Sequence, residues 1–194
     1  LLKVENQVAI ILYDDTNSAL ENPVFGGNNA GIRLYGSDFD RNGNLWVLQS
    51  LTDDALLRLS PNGQFQSFDV SNISGGRDEL AYSKLAISRE GFVFFSPVQT
   101  GLAAFNPTTN QFRAIGADDT GGGLPSTDIR ALAFDAQNRL WIGTLRGLRV
   151  LFNPGTFFSN TADVSASAII FADDEGVGQE LLFEQTITDI EVDG

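Results

Sequence analysis

Acidic side chains are the residues of this sequence whose types and spacing could do chemistry. Three adjacent pairs stand in polar or Gly-rich stretches: Asp53–Asp54, Asp118–Asp119 and Asp173–Asp174. A glycosidase or polysaccharide lyase needs two carboxylates about 5 to 10 Å apart, one of them with a pKa raised by burial. Adjacent acids in exposed loops are more often simply solvated. We therefore expect no catalytic residue here, and catalysis by these pairs is the weaker alternative.

A second acidic pattern resembles the start of a calcium loop. In the stretch DFDRNGNLW (38–46), Asp38, Asp40 and Asn42 alternate and a glycine follows. An EF-hand loop that begins at Asp38 would need a bidentate glutamate at its twelfth position, where this sequence has Gln49. We expect a hairpin turn without a metal ion, and a weak calcium site at Asp38, Asp40 and Asn42 is the alternative.

The composition removes several other classes of site. The sequence has no His and no Cys, which excludes Ser-His-Asp and Cys-His nucleophiles, His/Cys zinc sites, iron–sulfur clusters and disulfides. The net charge of -13, from 12 basic and 25 acidic residues, argues against nucleic acid as a partner, because polyphosphate binding needs a basic surface. We expect no cofactor and no membrane insertion, since no apolar run of about 20 residues is present. Lacking an initiator Met and a signal peptide, the chain is expected to be a portion of a longer protein.

The apolar pattern predicts short strands and almost no helix. Runs rich in Ile, Val, Leu, Phe and Trp are separated by Gly, Asn, Asp and Pro clusters. Two landmarks repeat along the chain. The residue before a large aromatic recurs at Leu45, Val93 and Leu140, with spacings of 48 and 47 residues. The leucine that opens the following strand recurs at Leu2, Leu56, Leu102 and Leu148, with spacings of 54, 46 and 46 residues.

Each repeat reads as four strands, and this period is the signature of a β-propeller. In the clearest copy the predicted strands are 128–134, 139–144, 147–152 and 166–171. We therefore predict an all-β fold, a β-propeller segment of three complete four-stranded blades between two partial ones. The predicted boundaries are a partial blade at 1–20, blades at about 30–72, 78–117 and 127–173, an insertion within 153–165, and the start of another blade at 186–194.

The repeat also assigns roles to the turns and to the aromatic residues. Gly43, Gly91 and Asn138 occupy the turn position that is expected to take a positive φ. Trp46 and Trp141, with Phe94 as their counterpart, lie in mid-strand runs that are apolar on both faces, which predicts packing between adjacent blades. Stacking of sugar rings is the alternative. Truncation of Trp141 to Ala is then expected to cost about 3 to 5 kcal/mol of stability.

One end of the predicted propeller is richer in polar loops than the other. The loops from second to third strand, and from the fourth strand to the next blade, cover 50–55, 71–79, 117–127, 144–147 and 173–180. Loops on a rigid scaffold commonly carry function. The candidate ligand-binding residues at this end are Asp53, Arg77, Asp128 and Arg146. The two arginines could hold an anionic or hydroxylated ligand through their planar donors, and solvation of the surface is the alternative.

Two stretches carry a resemblance to known families. GLPSTDIRALAFDAQNRLWIGTLRGLRVLFNP (123–154) resembles the two-component regulator propeller repeat, with its LPS entry, apolar strand, Asp, turn, LWIGT and GL. That repeat indicates architecture rather than function. VLFNPGTFFS (150–159) and GQELLFEQTITDIEVDG (178–194) resemble PorZ-type propeller proteins of the type IX secretion system of the Bacteroidetes. LLRLSPNGQFQSF (56–68) and GLAAFNP (101–107) resemble the preceding blades of that family.

The second resemblance implies a non-enzymatic, surface-exposed component of the attachment complex, associated with the outer membrane. Its implied partners are a sortase, outer-membrane barrel proteins and anionic lipopolysaccharide, and its implied propeller has seven blades. A net charge of -13 opposes generic binding of a negatively charged glycolipid, so binding would use a local Arg pocket, bridging cations or other parts of the protein. The alternative is a periplasmic oligosaccharide-sensing propeller of a hybrid two-component receptor.

Overall fold

The computed structural model describes residues 1–74, 84–97, 100–117, 122–160 and 164–193. Within these ranges the helical segments are short: α1 (Ser71–Ser74) and a 3-10 turn at Pro154–Thr156. No helix in the described ranges is long and apolar enough to cross a membrane. The strands are β1 (Leu2–Glu5), β2 (Val8–Leu12), β3 (Val24–Phe25), β4 (Asn28–Asn29), β5 (Leu34–Phe39), β6 (Leu45–Gln49), β7 (Leu56–Leu59), β8 (Phe65–Phe68), β9 (Ala86–Ile87), β10 (Val93–Phe95), β11 (Leu102–Asn106), β12 (Gln111–Ile115), β13 (Ile129–Phe134), β14 (Leu140–Thr144), β15 (Gly147–Leu151), β16 (Ile170–Ala172) and β17 (Gly178–Glu180).

Three antiparallel sheets form the body of the molecule, and each follows the order of its strands along the chain. We call them blade 1 (β5–β8), blade 2 (β9–β12) and blade 3 (β13–β15). Strands β1–β2, β3–β4 and β16–β17 form separate two-stranded hairpins. The first strands of blades 1 and 2, β5 and β9, touch. They approach so closely that a Cβ on Gly36 would lie 2.4 Å from the backbone nitrogen of Leu85.

The middle strands of the blades are apolar on both faces because each face packs against a different neighbour. Side chains alternate between the two faces of a strand. Trp46 and Leu48 of β6 share a buried cluster with Phe95 of β10. Phe94, on the opposite face of β10, belongs to the next cluster, which includes Ile142 of β14. The large aromatics at positions 46 and 94 therefore point toward the following blade, and their neighbours in sequence point toward the preceding one.

Trp46 fills the interface between blades 1 and 2, as expected from the sequence. Only 1% of its surface is exposed. Its ring stacks on Phe68, with centroids 5.6 Å apart and planes 23° apart, and it meets Phe105 at 6.0 Å. Trp141 occupies the same strand position in blade 3 but is half-buried. It lies on the face of β14 opposite Ile142, so the large stability loss expected for Trp141 applies to Trp46 instead.

The insertion after blade 3 fastens that blade to blade 2. Phe157 is fully buried and packs edge-on against Phe94, with ring centroids 5.1 Å apart. Arg113 of β12 donates from Nη1 to the carbonyl oxygens of Phe157 (2.7 Å) and Ser159 (3.1 Å). We call residues 153–160 the rim latch, because they cover the outer edge of the interface between these two blades.

Blade 3 differs from the expectation at its outer edge. Where a strand was expected over 166–171, Ser167 alone bridges Val150, and Ile170–Ala172 turns away to pair with Gly178–Glu180. Arg149 accounts for this path. Its side chain is 8% exposed, and its guanidinium donates to Glu180 (2.5 Å) and to the carbonyl oxygen of Gly123 (3.0 Å). This buried ion pair holds the β16–β17 hairpin against blade 3.

The C-terminal residues follow an irregular path instead of forming a strand. Thr186 and Ile187 are anchored on blade 3. The hydroxyl of Thr186 donates to the carbonyl oxygen of Leu145 (3.0 Å), and the backbone N–H of Ile187 donates to the carbonyl oxygen of Thr144 (3.0 Å). Lys84 forms an ion pair with Asp189. The predicted boundaries of the blades, including a new blade from 186, remain predictions.

Replacement of Trp46 by Ala should lower the free energy of unfolding by about 3 to 5 kcal/mol, because it empties the interface between blades 1 and 2. Replacement of Trp141 by Ala should cost less than about 2 kcal/mol, because less apolar surface is buried there. Chemical denaturation followed by fluorescence or circular dichroism measures both. Equal losses for the two variants would contradict this account of the packing.

Candidate functional site

The stretch that resembles a calcium loop is a hairpin turn closed by an acidic side chain, that of Asp40. Its Oδ1 accepts the backbone N–H groups of Asn42 (2.9 Å) and Asn44 (3.0 Å). Its Oδ2 accepts the side-chain amide of Asn44 (2.7 Å) and the indole N–H of Trp46 (3.0 Å). Four donors from the protein therefore surround this carboxylate, and the alternating polar residues have a structural role.

The same turn recurs along the chain. At each copy, the side-chain oxygen of the first residue accepts the backbone N–H four residues later; the first residues are Asp40, Ser60, Ser88, Asp135 and Asp173. The residue three positions after each of these has a positive φ: Gly43 (75°), Gly63 (85°), Gly91 (85°), Asn138 (63°) and Gly176 (79°). The left-handed backbone expected at Gly43, Gly91 and Asn138 is thus observed. The sequence signal for this turn was an Asp or Ser three residues before a Gly or Asn. Where the first residue is Asp, we call it a carboxylate turn.

The carboxylate turns shift the ionisation of their acids. Asp135 is 6% exposed, and burial works against its charge. Hydrogen bonds from the indole of Trp141, from the backbone and guanidinium of Arg139 and from the backbone of Gln137 outweigh burial and lower the pKa of Asp135 to about 2. The pKa of Asp40 is lowered in the same way, against burial, by Asn44 and Trp46. These acids remain charged at any pH near neutrality.

Asp38 has a different environment from Asp40. Burial raises the pKa of Asp38, and its Oδ1 accepts the backbone N–H of Phe39 at 2.7 Å. The described residues contain no group of three or more His, Cys, Asp or Glu side chains placed to hold a metal ion. The calcium alternative at Asp38, Asp40 and Asn42 remains a prediction.

In the two adjacent acid pairs that the structure describes, one carboxylate of each pair is engaged by the protein. Asp54 accepts the hydroxyl of Ser67 at 3.0 Å. The backbone N–H of Val177 and the side chain of Gln179 lower the pKa of Asp173, whereas a general acid needs a raised pKa. Asp118 and Asp119 lie outside the described residues.

The candidate ligand-binding residues divide between two blades. Asp128 pairs with Arg130 (2.9 Å) in blade 3, and Arg146, in the β14–β15 turn, pairs with Glu184 (3.0 Å). The carbonyl oxygen of Asp128 also accepts the N–H of Leu145 at 2.9 Å, which places Asp128 and Arg146 at the same end of that blade. Asp53 lies in the β6–β7 loop of blade 1, where its carbonyl oxygen accepts the N–H of Val70 at 2.9 Å. Arg77 lies outside the described residues. A shared role for these four residues remains a prediction.

A polar groove lies at the other end of the blades, which the sequence analysis passed over because its turns are short. A cleft of about 370 Å³ between blades 1 and 2 is bordered by the β5–β6, β9–β10 and β11–β12 turns. A second cleft of about 220 Å³ shares Arg41 and Arg89 with the first and extends to Phe134 and Asn138. We call the two clefts together the turn-end groove.

Three arginines line the turn-end groove: Arg41, Arg58 and Arg89. Arg58 lies over Trp46, with its guanidinium carbon 5.6 Å from the ring centroid, and donates to Gln66 at 2.5 Å. The guanidinium of Arg89 donates to the carbonyl oxygen of Ala136, and its backbone N–H donates to Asn138 at 2.9 Å. Two of the three guanidinium groups are therefore held in place by hydrogen bonds to the protein.

Comparison with known proteins supports the fold and leaves the function open. The family model described as "Two component regulator propeller" matches residues 123–146. The structure of PorZ, an essential surface component of the type-IX secretion system of Porphyromonas gingivalis, matches 99% of this chain at TM-score 0.80 and 19% identity. The extracellular domain of a putative hybrid two-component system from B. thetaiotaomicron matches 95% of the chain at TM-score 0.56 and 19% identity.

This chain spans 27% and 24% of the lengths of those two structures. No curated protein matches the sequence. At such identity the likeness shows the fold alone, and it confirms the all-β propeller expected from the sequence. This likeness in fold does not assign the roles of the two relatives to this chain.

The residues that carry the repeat have structural roles here. Gly123 has a φ of 71°, and a Cβ at this position would lie 2.1 Å from the carbonyl oxygen of Ala166. A Cβ on Gly143 would lie 2.5 Å from Cγ2 of Ile187. Leu124 is fully buried, and Asp135 closes a carboxylate turn. Within the matched repeat, these four residues therefore specify blade geometry.

Replacement of Gly123 by Ala should destabilise the protein by about 2 to 5 kcal/mol, from the left-handed backbone and the clash with Ala166 together. Gly176 is a matched control, because it has a φ of 79° and open space around it. Gly176→Ala should cost only about 1 to 2 kcal/mol. Urea denaturation of both variants measures the difference, and equal costs would show that the contact with Ala166 is unimportant.

Acid should destabilise the protein through Asp135. The folded-state pKa is lower than the ordinary value of 3.8, so this contribution to stability is complete above the ordinary pKa and is lost as the pH falls toward about 2. Asp135→Asn should remove this part of the pH dependence, while Asp15→Asn, at an exposed position, should keep it. Thermal unfolding measured between about pH 2 and pH 7 tests this, and the account fails if the Asp135→Asn variant and the unmodified protein respond to acid in parallel.

Proposed function

We propose that this chain is the propeller portion of a cell-surface component of a type IX secretion system. In this proposal the protein is associated with the outer membrane and works in the attachment complex that receives secreted cargo. It is a non-enzymatic scaffold whose partners are the sortase and outer-membrane barrel proteins of that complex, and it recognises anionic lipopolysaccharide.

The observation that carries the proposal is the match over the whole chain to PorZ. A TM-score of 0.80 over 99% of the chain supports a similar arrangement of the blades along the whole chain, and not only within one repeat. The match to the two-component receptor domain covers 95% of the chain at TM-score 0.56. The higher score favours the secretion component.

The non-enzymatic part of the proposal rests on the available side chains. His and Cys are absent from the sequence, so acid–base or nucleophilic chemistry would depend on carboxylates, Lys, Tyr, Ser or Thr. Asp40, Asp135 and Asp173 are held in carboxylate turns with a lowered pKa, which fits a structural role and not proton transfer.

The second candidate function is that of an extracellular sensing propeller in a hybrid two-component receptor. The family model that matches residues 123–146 and the B. thetaiotaomicron structure both support it. The two functions differ in location, because a receptor of this type is anchored in the inner membrane and a secretion component is exposed on the cell surface.

Deletion of the gene in the source bacterium separates the two candidates. For a secretion component, we expect cargo with a C-terminal secretion signal to lose its attachment to the surface, and an epitope-tagged copy to be labelled by antibody on intact cells. Restoration of the gene is the control. An unaltered cargo profile, with the tagged protein in the inner-membrane fraction, would reject the proposal in favour of the sensor.

A further inference from the structure

The turn-end groove brings three arginines together on an acidic protein. The chain has 12 basic and 25 acidic residues, yet Arg41, Arg58 and Arg89 converge on one cleft between two blades. They come from the β5–β6 turn, from β7 and from the β9–β10 turn, so only the stacking of blades 1 and 2 brings them together. A binding site explains this convergence more simply than a random distribution of surface charge.

The groove arginines differ from most other basic residues in forming no ion pair with a described carboxylate, although the charge of Arg41 lies near Glu90. Lys3, Lys84, Arg130, Arg139, Arg146 and Arg149 all form ion pairs. Arg41, Arg58 and Arg89 form none with the described residues. Arg41 is exposed, and no hydrogen bond joins its side chain to a described residue. Each of these three guanidinium groups keeps donors available for a ligand.

The carboxylates of the groove are already engaged by the protein. Asp40 accepts four hydrogen bonds within its carboxylate turn. Glu90 accepts the side-chain amide of Asn138 at 3.2 Å on both oxygens. Burial works against the charge of Glu90, but the bonds from Asn138 and the nearby charge of Arg41 outweigh it and lower the pKa of its carboxyl. Asp135 borders the second cleft and is likewise engaged, by Arg139 and Trp141. The three acids thus stabilise turns of the groove.

We propose that the turn-end groove binds the carboxylate or phosphate group of an acidic sugar. A planar guanidinium can donate two parallel hydrogen bonds to such a group, which favours Arg over Lys for this recognition. The main cleft, of about 370 Å³, falls within the range of about 300 to 1,000 Å³ that is common for small-molecule sites. Asn42 and Thr108, which are exposed on its border, supply polar groups for sugar hydroxyls, and the second cleft extends the groove for a neighbouring sugar residue.

This inference rests on the proposed function only where it assumes an anionic glycan as a partner. It adds the residues that hold the glycan and assigns binding to the end of the blades opposite to Asp128 and Arg146. At that other end, Arg130 pairs with Asp128 and Arg146 pairs with Glu184, so each of these arginines has a carboxylate partner.

Isothermal titration of the intact purified protein with soluble sugars tests the proposal. The acidic probes are tri-galacturonic acid, which carries carboxylates, and mannose 6-phosphate; galactotriose is the neutral control. We expect at least one acidic probe to bind with one site per chain, to weaken as salt is raised, and to bind at least about tenfold more tightly than galactotriose. Preference for one acidic probe identifies which anionic group the groove selects.

Variants locate the binding on the molecule. The double variant Arg41→Gln/Arg89→Gln should weaken binding at least about tenfold, and circular dichroism should show that it keeps the fold although the hydrogen bond of Arg89 to Ala136 is lost. Arg33→Gln is the matched control, because Arg33 is exposed and outside the groove, and it should bind within about twofold of the unmodified protein. Unchanged affinity in the double variant, loss of affinity in Arg146→Gln instead, or no binding of either acidic probe would overturn the proposal. Because the titration uses soluble sugars, its result does not depend on whether the protein works in secretion.

Discussion

The packing of Trp46 against Phe68 and Phe105 represents the constraint on which the rest of the structure depends. The middle strands of a blade are apolar on both faces, so a blade alone would expose one of them to water. Each blade therefore needs a neighbour on both sides, and the two clusters around Phe95 and Phe94 satisfy the two faces of blade 2. Strand order, repeat length and the positions of the large aromatics all follow from this requirement.

The sequence predicts the parts of the fold that depend on this alternation. Three features are visible as patterns in the sequence: the repeat spacings of 46 to 54 residues, the positions of Trp46 and Phe94 between blades, and the left-handed turn residues Gly43, Gly91 and Asn138. The outer edge of blade 3 depends on one long-range contact, the ion pair of Arg149 with Glu180. Residues 31 positions apart leave no periodic signal, so the single bridge at Ser167 could not be foreseen.

The candidate site was harder to predict from the sequence than the fold. Polar loops such as 117–127 attract attention because they are long and Gly-rich, whereas Arg41, Arg58 and Arg89 lie in or beside short turns of ordinary composition. Their convergence comes from two blades standing side by side. The role of Asp40 was also hard to read from the sequence, because a pattern that resembles metal ligands contains the side chain that closes a turn and orients Trp46.

The rim latch has a consequence for how such a molecule can change over generations. Extra chain at 153–160 is accommodated at the circumference, where Arg113 and Phe94 receive it. The inner edge of the blades, where β5 and β9 touch, offers no comparable room, because Gly36 already lies against the backbone of Leu85. New segments can therefore be added at the outer edge of the blades, where they change what the protein contacts. Small residues must be kept at the inner edge, where β5 and β9 touch.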